Sequence, residues 1–181
     1  MTTRATIDEG LGVHQSALLT DLALCVNRYR LFSPGWYVCV LPKVQLSPEE
    51  SEVPGLVAMV NYGHKKQCEV RDEIFHGAPN FVLDVFYSES DETFVRRRER
   101  FFRHRVEEYV VAVQEKEAPV KLRWHQWDTS GYRLLEPEKD GILRSAALPN
   151  FWIPLNAVQE RDWWTVLGCI ERGVSRRADF K

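Results

Sequence analysis

One hexapeptide constrains this chain more than any other: Phe81-Val82-Leu83-Asp84-Val85-Phe86, apolar throughout except for one carboxylate. A run so apolar has no solvated face, and it predicts a strand covered on both sides at the centre of a sheet. Asp84 is the anomaly within it, because a buried carboxylate is costly unless it is paired, hydrogen-bonded or bound to metal. Any fold for this chain must therefore supply a central strand and, beside it, whatever satisfies Asp84.

The remaining sequence is ordinary globular material. Its 181 residues suit one domain, and 44% hydrophobic with 28% charged residues exclude a disordered chain. A net charge of -2 excludes a globally basic nucleic-acid binder but leaves room for a local basic patch. Cys25, Cys39, Cys68 and Cys169 stand in no CxxC spacing, so they read as small core residues of a reduced, cytoplasmic protein rather than as zinc ligands. Met1 to Val13 carries Asp8 and Glu9 and no apolar block, so no secretory signal is expected. The longest apolar stretch, Ala17 to Val26, is broken by Thr20 and Asp21 and is too short to span a bilayer, so no membrane partner is expected.

Periodicity organises the rest. Leu18, Leu19, Leu22, Val26 and Tyr29 predict a helix over His14 to Arg30, ended by Ser33-Pro34-Gly35. Trp36 to Leu41 and Val53 to Val60 predict strands flanking the polar loop Ser47 to Ser51, whereas Asn61 to Gly77 carries no period. After the central strand, Ser90-Asp91-Glu92-Thr93 reads as the capped start of a helix running to Arg105. Glu108 to Gln114 and Val120 to Trp127 predict strands, the latter paired with Tyr132 to Leu135 across Asp128 to Gly131. A last helix, Glu160 to Arg172, places Trp163, Leu167 and Ile170 on one face. Alternating strands and helices followed by a β-rich half define the fold class as α/β (α+β), a single domain with a mixed sheet flanked by helices.

Two features could carry chemistry. The helix after the central strand bears Arg96, Arg97, Arg98, Arg100, Arg103 and Arg105 against a single acid, Glu99. Such a helix either grips phosphates through forked hydrogen bonds or is a solvated face balanced by the nearby acids at 89, 91, 92, 107 and 108. Asp84 either pairs with one of those arginines or holds a divalent cation, since hard oxygen ligands suit Mg²⁺. His14, His64, His76, His104 and His125 show no ligand spacing. The chain contains no glycine-flanked serine nucleophile, no GxGxxG and no GxxxxGK[ST], which removes the common hydrolase elbow and nucleotide-binding loops.

The order of four segments resembles a known family. Pro79-Asn80-Phe81-Val82-Leu83-Asp84-Val85, the Arg97 helix, Val106-Glu107-Glu108-Tyr109-Val110, and the closing Gly141-Ile142-Leu143-Arg144-Ser145 with Leu148-Pro149-Asn150-Phe151 are similar to the restriction endonuclease domain family. There, a Pro-Asp-Leu-Val-Val-Glu-Val strand precedes a lysine-bearing helix, a Gly-Val-Pro-Glu-Tyr-Trp turn and a closing G-x-L-x-S-x-x-L-P-G-F. His14, Val53-Pro54 and Tyr132-Arg133-Leu134 agree with the same pattern, and the likeness covers residues 13–159, leaving 160–181 as an extra C-terminal helix and basic tail.

The resemblance implies a restriction-endonuclease-like fold of the PD-(D/E)XK superfamily and Mg²⁺-dependent hydrolysis of phosphodiesters in DNA, with RNA not excluded. In that chemistry, carboxylates hold Mg²⁺ against the scissile phosphate and a cation stabilises the developing charge. Carried over position by position, Asp84 and Asn80 would be the metal ligands and Arg97 would stand at the helix lysine, making Asp84, Arg97 and Asn80 the catalytic set. Gly55 replaces the aspartate of the Pro-Asp that opens the second strand, so the site is eroded and its Mg²⁺ binding should be weak or absent. The alternative is a catalytically inactive relative that binds nucleic acid or a partner protein through the arginine helix, with the last helix covering an apolar edge or making a homodimer contact. The apolar run and the resemblance together place Asp84 on a central strand that faces the same cleft as the start of the Val53–Val60 strand, where Gly55 stands.

Overall fold

A computed structural model of the chain describes residues 11–60, 62–116 and 118–175. Helix α1 (Val13–Phe32) is followed by β1 (Trp36–Val40), β2 (Val44–Gln45), β3 (Ser51–Glu52), β4 (Leu56–Val60), β5 (Cys68–Arg71), β6 (Ile74–Gly77) and β7 (Phe81–Phe86). Helix α2 (Glu92–Arg103) then leads to β8 (Glu108–Val113), β9 (Lys121–Asp128), β10 (Gly131–Leu134), β11 (Ile142–Arg144), β12 (Trp152–Pro154), α3 (Leu155–Gln159) and α4 (Trp163–Ser175). The expected single mixed α/β unit is therefore what the chain forms.

The principal sheet has the order β1-β4-β7-β8-β9-β10. All its neighbours are antiparallel except β7 and β8, which run parallel because α2 carries the chain back between them. Every residue of β4, β7 and β8 is buried, as predominantly apolar central strands demand, and the acids Asp84 and Glu108 are buried with them. Alternation sends Leu56, Ala58, Phe81, Leu83, Val85, Val110 and Ala112 to one core with α1. It sends Val57, Met59, Val82, Phe86, Tyr109 and Val111 to a second core with Phe94 and Phe101 of α2. Asp84, in step with Val82 and Phe86, belongs to the α2 side.

Three boundaries differ from the sequence expectation for identifiable reasons. Strand β4 begins at Leu56 rather than Val53, because Pro54 has no N–H to give and the Gly55 N–H is donated to the Asp84 side chain. The stretch without periodicity forms β5 and β6, which join β2 and β3 in a small sheet ordered β3-β2-β6-β5. The final helix starts at Trp163, where Asp162 accepts hydrogen bonds from the Thr165 N–H (3.1 Å) and hydroxyl (2.6 Å), and residues 155–159 form α3.

Helix α4 is integral to the fold. Val166, Ile170 and Val174 lie in the same core as α1, and a Cβ at Gly173 would come within 2.3 Å of the Asn150 carbonyl oxygen. The apolar face of α4 is thus spent inside the chain, leaving Trp164 as its exposed large apolar residue. The expected basic tail beyond it, and the start of the chain before residue 11, lie outside the described residues. Burial raises the Cys25 and Cys68 thiols to about 12, consistent with inert core residues. Among the described residues no helix is long and apolar enough to cross a membrane.

Candidate active site and the arginine helix

Strand β7 delivers Asp84 to the α2 face opposite the start of β4, and there three donors converge on it. Asp84 Oδ1 accepts from the Gly55 N–H (2.7 Å) and from Arg97 Nη1 (3.0 Å), while Oδ2 accepts from the Tyr109 hydroxyl (2.9 Å). Asp84 and Gly55 therefore share one site, as expected from the sequence.

Arg97 is equally occupied. Asp91 caps α2 by accepting from the Thr93 N–H (2.8 Å), and the helix then buries Phe94, Arg97 and Phe101 against the sheet. Arg97 Nε donates to Glu52 Oε2 (3.0 Å) and Nη2 to the Val53 carbonyl (2.9 Å), so its guanidinium bridges the carboxylates of Asp84 and Glu52. All three side chains are over nine-tenths buried. One turn further on, Arg100 Nη1 reaches the other oxygen of Glu52. The next turn places Arg103 (2.8 Å) and His104 (2.6 Å) on Glu50. The spacing 97, 100, 103, 104 is one helical face, and it zips onto the two acids that flank Ser51.

The electrostatics follow from this geometry. Burial pushes the Asp84 carboxyl up, and Arg97, Gly55 and Tyr109 pull it part of the way back. Burial alone would lower Arg97, but the carboxylates of Asp84 and Glu52 outweigh it and hold the guanidinium above its ordinary value. Tyr109 is driven far above the usual phenol range by burial and by Asp84, so its hydroxyl stays a donor. Near solvent, the hydrogen bond from His104 is the main cause holding the Glu50 carboxyl below its ordinary value.

The donor set does not fit Mg²⁺. Both Asp84 oxygens are already used, and a guanidinium fills the space between Asp84 and Glu52 where a cation would need to bind. No group of three or more His, Cys, Asp or Glu side chains among the described residues is arranged to hold a metal. Asn80 does not join Asp84: four residues along an extended strand separate them by about 13 Å. Asn80 instead accepts from the Val60 N–H (3.0 Å) and donates to the Lys65 carbonyl (2.9 Å) and Glu107 (2.6 Å), which ties loop to sheet. At Gly55 a Cβ would sit 3.0 Å from the Leu83 carbonyl oxygen and 3.2 Å from Leu19, so the family's aspartate has no room without movement of a neighbour.

The sequence brings Asp84, Arg97 and Gly55 together correctly and leaves out Glu50, Glu52, Tyr109 and His104 as partners. Glu52 carries a usable signal, standing two residues before the Pro54-Gly55 that opens β4. Tyr109 carries one in the Glu108-Tyr109 pair shared with the family turn.

No family model matches the chain, and no curated protein matches it. Among solved structures it is similar to an Anabaena variabilis protein described as a "putative nuclease belonging to DUF820", with a TM-score of 0.62 and 11% identity. The match covers 85% of this chain and 83% of that one. At that identity the likeness concerns the fold alone, and the fold is consistent with the architecture that the family resemblance implies.

Proposed function

We propose that this chain is a nuclease-fold protein that holds nucleic acid without Mg²⁺-dependent hydrolysis. The observation that carries the reading is the Arg97 guanidinium lodged between Asp84 and Glu52, where hydrolysis would require a metal ion. Nucleic acid as the partner is supported by the nuclease description of the fold's neighbour and by the arginines that the zipper leaves over. Arg96 and Arg105 are exposed, and Arg105 lies 5.8 Å from the Trp127 ring centroid. Arg98 is half-buried on the same helix, 5.7 Å from the Phe94 ring centroid. Arg97, Arg100 and Arg103, by contrast, are spent on Asp84, Glu52 and Glu50 and are not the phosphate grip.

The test is retention of labelled DNA and RNA strands over a salt series, with and without Mg²⁺. Three phosphate contacts give a log affinity against log salt slope of about −2 to −3. Arg96→Ala and Arg105→Ala should each flatten that slope by roughly one contact, whereas Mg²⁺ should produce no cleavage. Cleavage that needs Mg²⁺ and disappears in Asp84→Asn overturns the non-hydrolytic reading. Failure to retain any strand at low salt overturns the nucleic-acid partner and leaves a protein partner as the alternative.

A further inference from the structure

Beside the zipper, between α2 and the β9–β10 hairpin, lies a cavity of about 300 Å³ lined by Arg98, Glu99, Phe102, His125 and Tyr132. Its walls are aromatic: Phe102 and Tyr132 have ring centroids 5.6 Å apart, and His125 and Tyr132 lie at 5.9 Å. The Tyr132 hydroxyl donates to the Val106 carbonyl (3.0 Å), which fixes that ring against the end of the α2 connection.

His125 is the chemically informative member. It is 8% exposed, and its Nδ1 lies 3.2 Å from the Tyr109 carbonyl oxygen. A carbonyl can only accept, so Nδ1 carries the proton of the neutral ring and Nε2 is a lone-pair acceptor. Burial, with Arg98 and Arg123 nearby, lowers the ring's basicity and favours that neutral form. Nε2 makes no hydrogen bond among the described residues. A polar side chain this buried, with an unused acceptor, in a cavity with a cation and a carboxylate at hand, is built to meet a ligand.

We propose that this cavity takes one unstacked nucleobase, which deepens the nucleic-acid reading above and rests on it. The base ring stacks on Phe102 or Tyr132, one of its N–H groups donates to His125 Nε2, and Arg98 meets the attached phosphate. The size agrees, because about 300 Å³ is the lower end of small-molecule sites and admits one flat ring system but no base pair. Stacking platforms beside arginines are the usual means of holding single strands, since each base has a π-face to offer. A single strand and a free nucleotide both offer such a base, and the two sources separate experimentally.

Fluorescence anisotropy should compare oligo-dA, an abasic strand of equal length, an oligo-dA·dT duplex and competing adenosine 5′-monophosphate. The expected result is a preference for oligo-dA over the abasic strand of roughly 5- to 150-fold, erased by Phe102→Ala and kept by Phe102→Tyr. Competition by the monophosphate identifies a free nucleotide as the occupant; its failure to compete identifies the strand. Equal binding of oligo-dA and the abasic strand overturns the base site while leaving the phosphate-binding reading intact. Absence of binding by any strand at low salt overturns both.

Discussion

The two faces of the principal sheet are built from the same strands and packed in opposite ways. On one, α1 lays down Leu18, Leu19, Leu22, Ala23, Cys25, Val26 and Tyr29, and its buried polar residue, Gln15, is satisfied by donating to the Gln114 carbonyl (3.1 Å). On the other, α2 buries only Phe94, Arg97 and Phe101, and the space beneath it is organised by the Asp84–Arg97–Glu52 cluster, Tyr109 and His125. Both faces bury apolar area, and they differ in their buried charge: the α1 side holds one acid, Glu108, satisfied by the Ser145 hydroxyl and the Ala146 N–H, whereas the α2 side holds the Asp84–Arg97–Glu52 charges that must remain matched.

The largest expected effect breaks the charged face. Arg97→Met strands the buried carboxylate of Asp84, leaves Glu52 with Arg100 alone, and should cost about 3–5 kcal/mol in urea unfolding. Replacing Arg97, Asp84 and Glu52 together by apolar residues of similar size should recover much of that loss, because no charge is then left unpaired. If Arg97→Met alone leaves stability unchanged, the cluster is not what holds α2 down.

The dry face should respond differently. Leu18→Ala, at a fully buried position of α1, should cost roughly 2–4 kcal/mol through lost burial and a residual cavity. That loss should be the same at low and high salt. A strong salt dependence would show that the two faces are not separable.

A smaller effect sharpens the comparison by pH. The folded value of His125 lies below the ordinary 6.5, with burial the main cause, so the unfolded chain takes up its proton first. Stability from this group is present above about 6.5 and is lost as pH falls through the folded value. Glu50, held low by His104, loses its contribution further into the acid range as it is protonated. The raised carboxyls of Asp84 and Glu108 act in the opposite sense, so the part due to His125 is read as the urea midpoint of the parent relative to His125→Phe, which should fall from pH 7.5 to 5. A parent-minus-variant difference that does not change with pH over this range would contradict the neutral, buried ring.

The smallest effect is at the outer end of the zipper. Arg103 is exposed, and its pair with Glu50 is screened, so Arg103→Ala should leave the urea midpoint unresolved from the parent at physiological salt. A loss comparable to that of Arg97→Met would mean that the zipper acts as one unit.

Much of this molecule is legible in its residues, and what is not has physical reasons. Strand β7 is readable to the residue because a continuous apolar run bounded by Pro79-Asn80 and Tyr87-Ser88 leaves one assignment. The pairing of Asp84 with an arginine of the next helix follows from the cost of burying a lone charge. The β5–β6 hairpin is hidden because its two-residue turn is Asp72-Glu73, both with positive φ of 51° and 60°. A turn of that shape normally announces itself through Asn-Gly or Asp-Gly. Glu52 is signalled only by its place before Pro54-Gly55, because β3 is two residues long and carries no period. Asn80 enters the metal set only through its place in the Pro-Asp motif, and extended geometry separates it from Asp84. The His125 acceptor depends on a contact with the β8 backbone, which only the register Tyr109 to His125 brings about.

Arg97 stands where a divalent cation would have to bind. Calorimetric titration of the unaltered protein with Mn²⁺, in the absence of nucleic acid, tests it most directly. With the guanidinium in that place, no heat beyond dilution is expected, in the parent and in Asp84→Asn alike. Stoichiometric binding by the parent that is lost in Asp84→Asn would contradict it and return the site to metal chemistry.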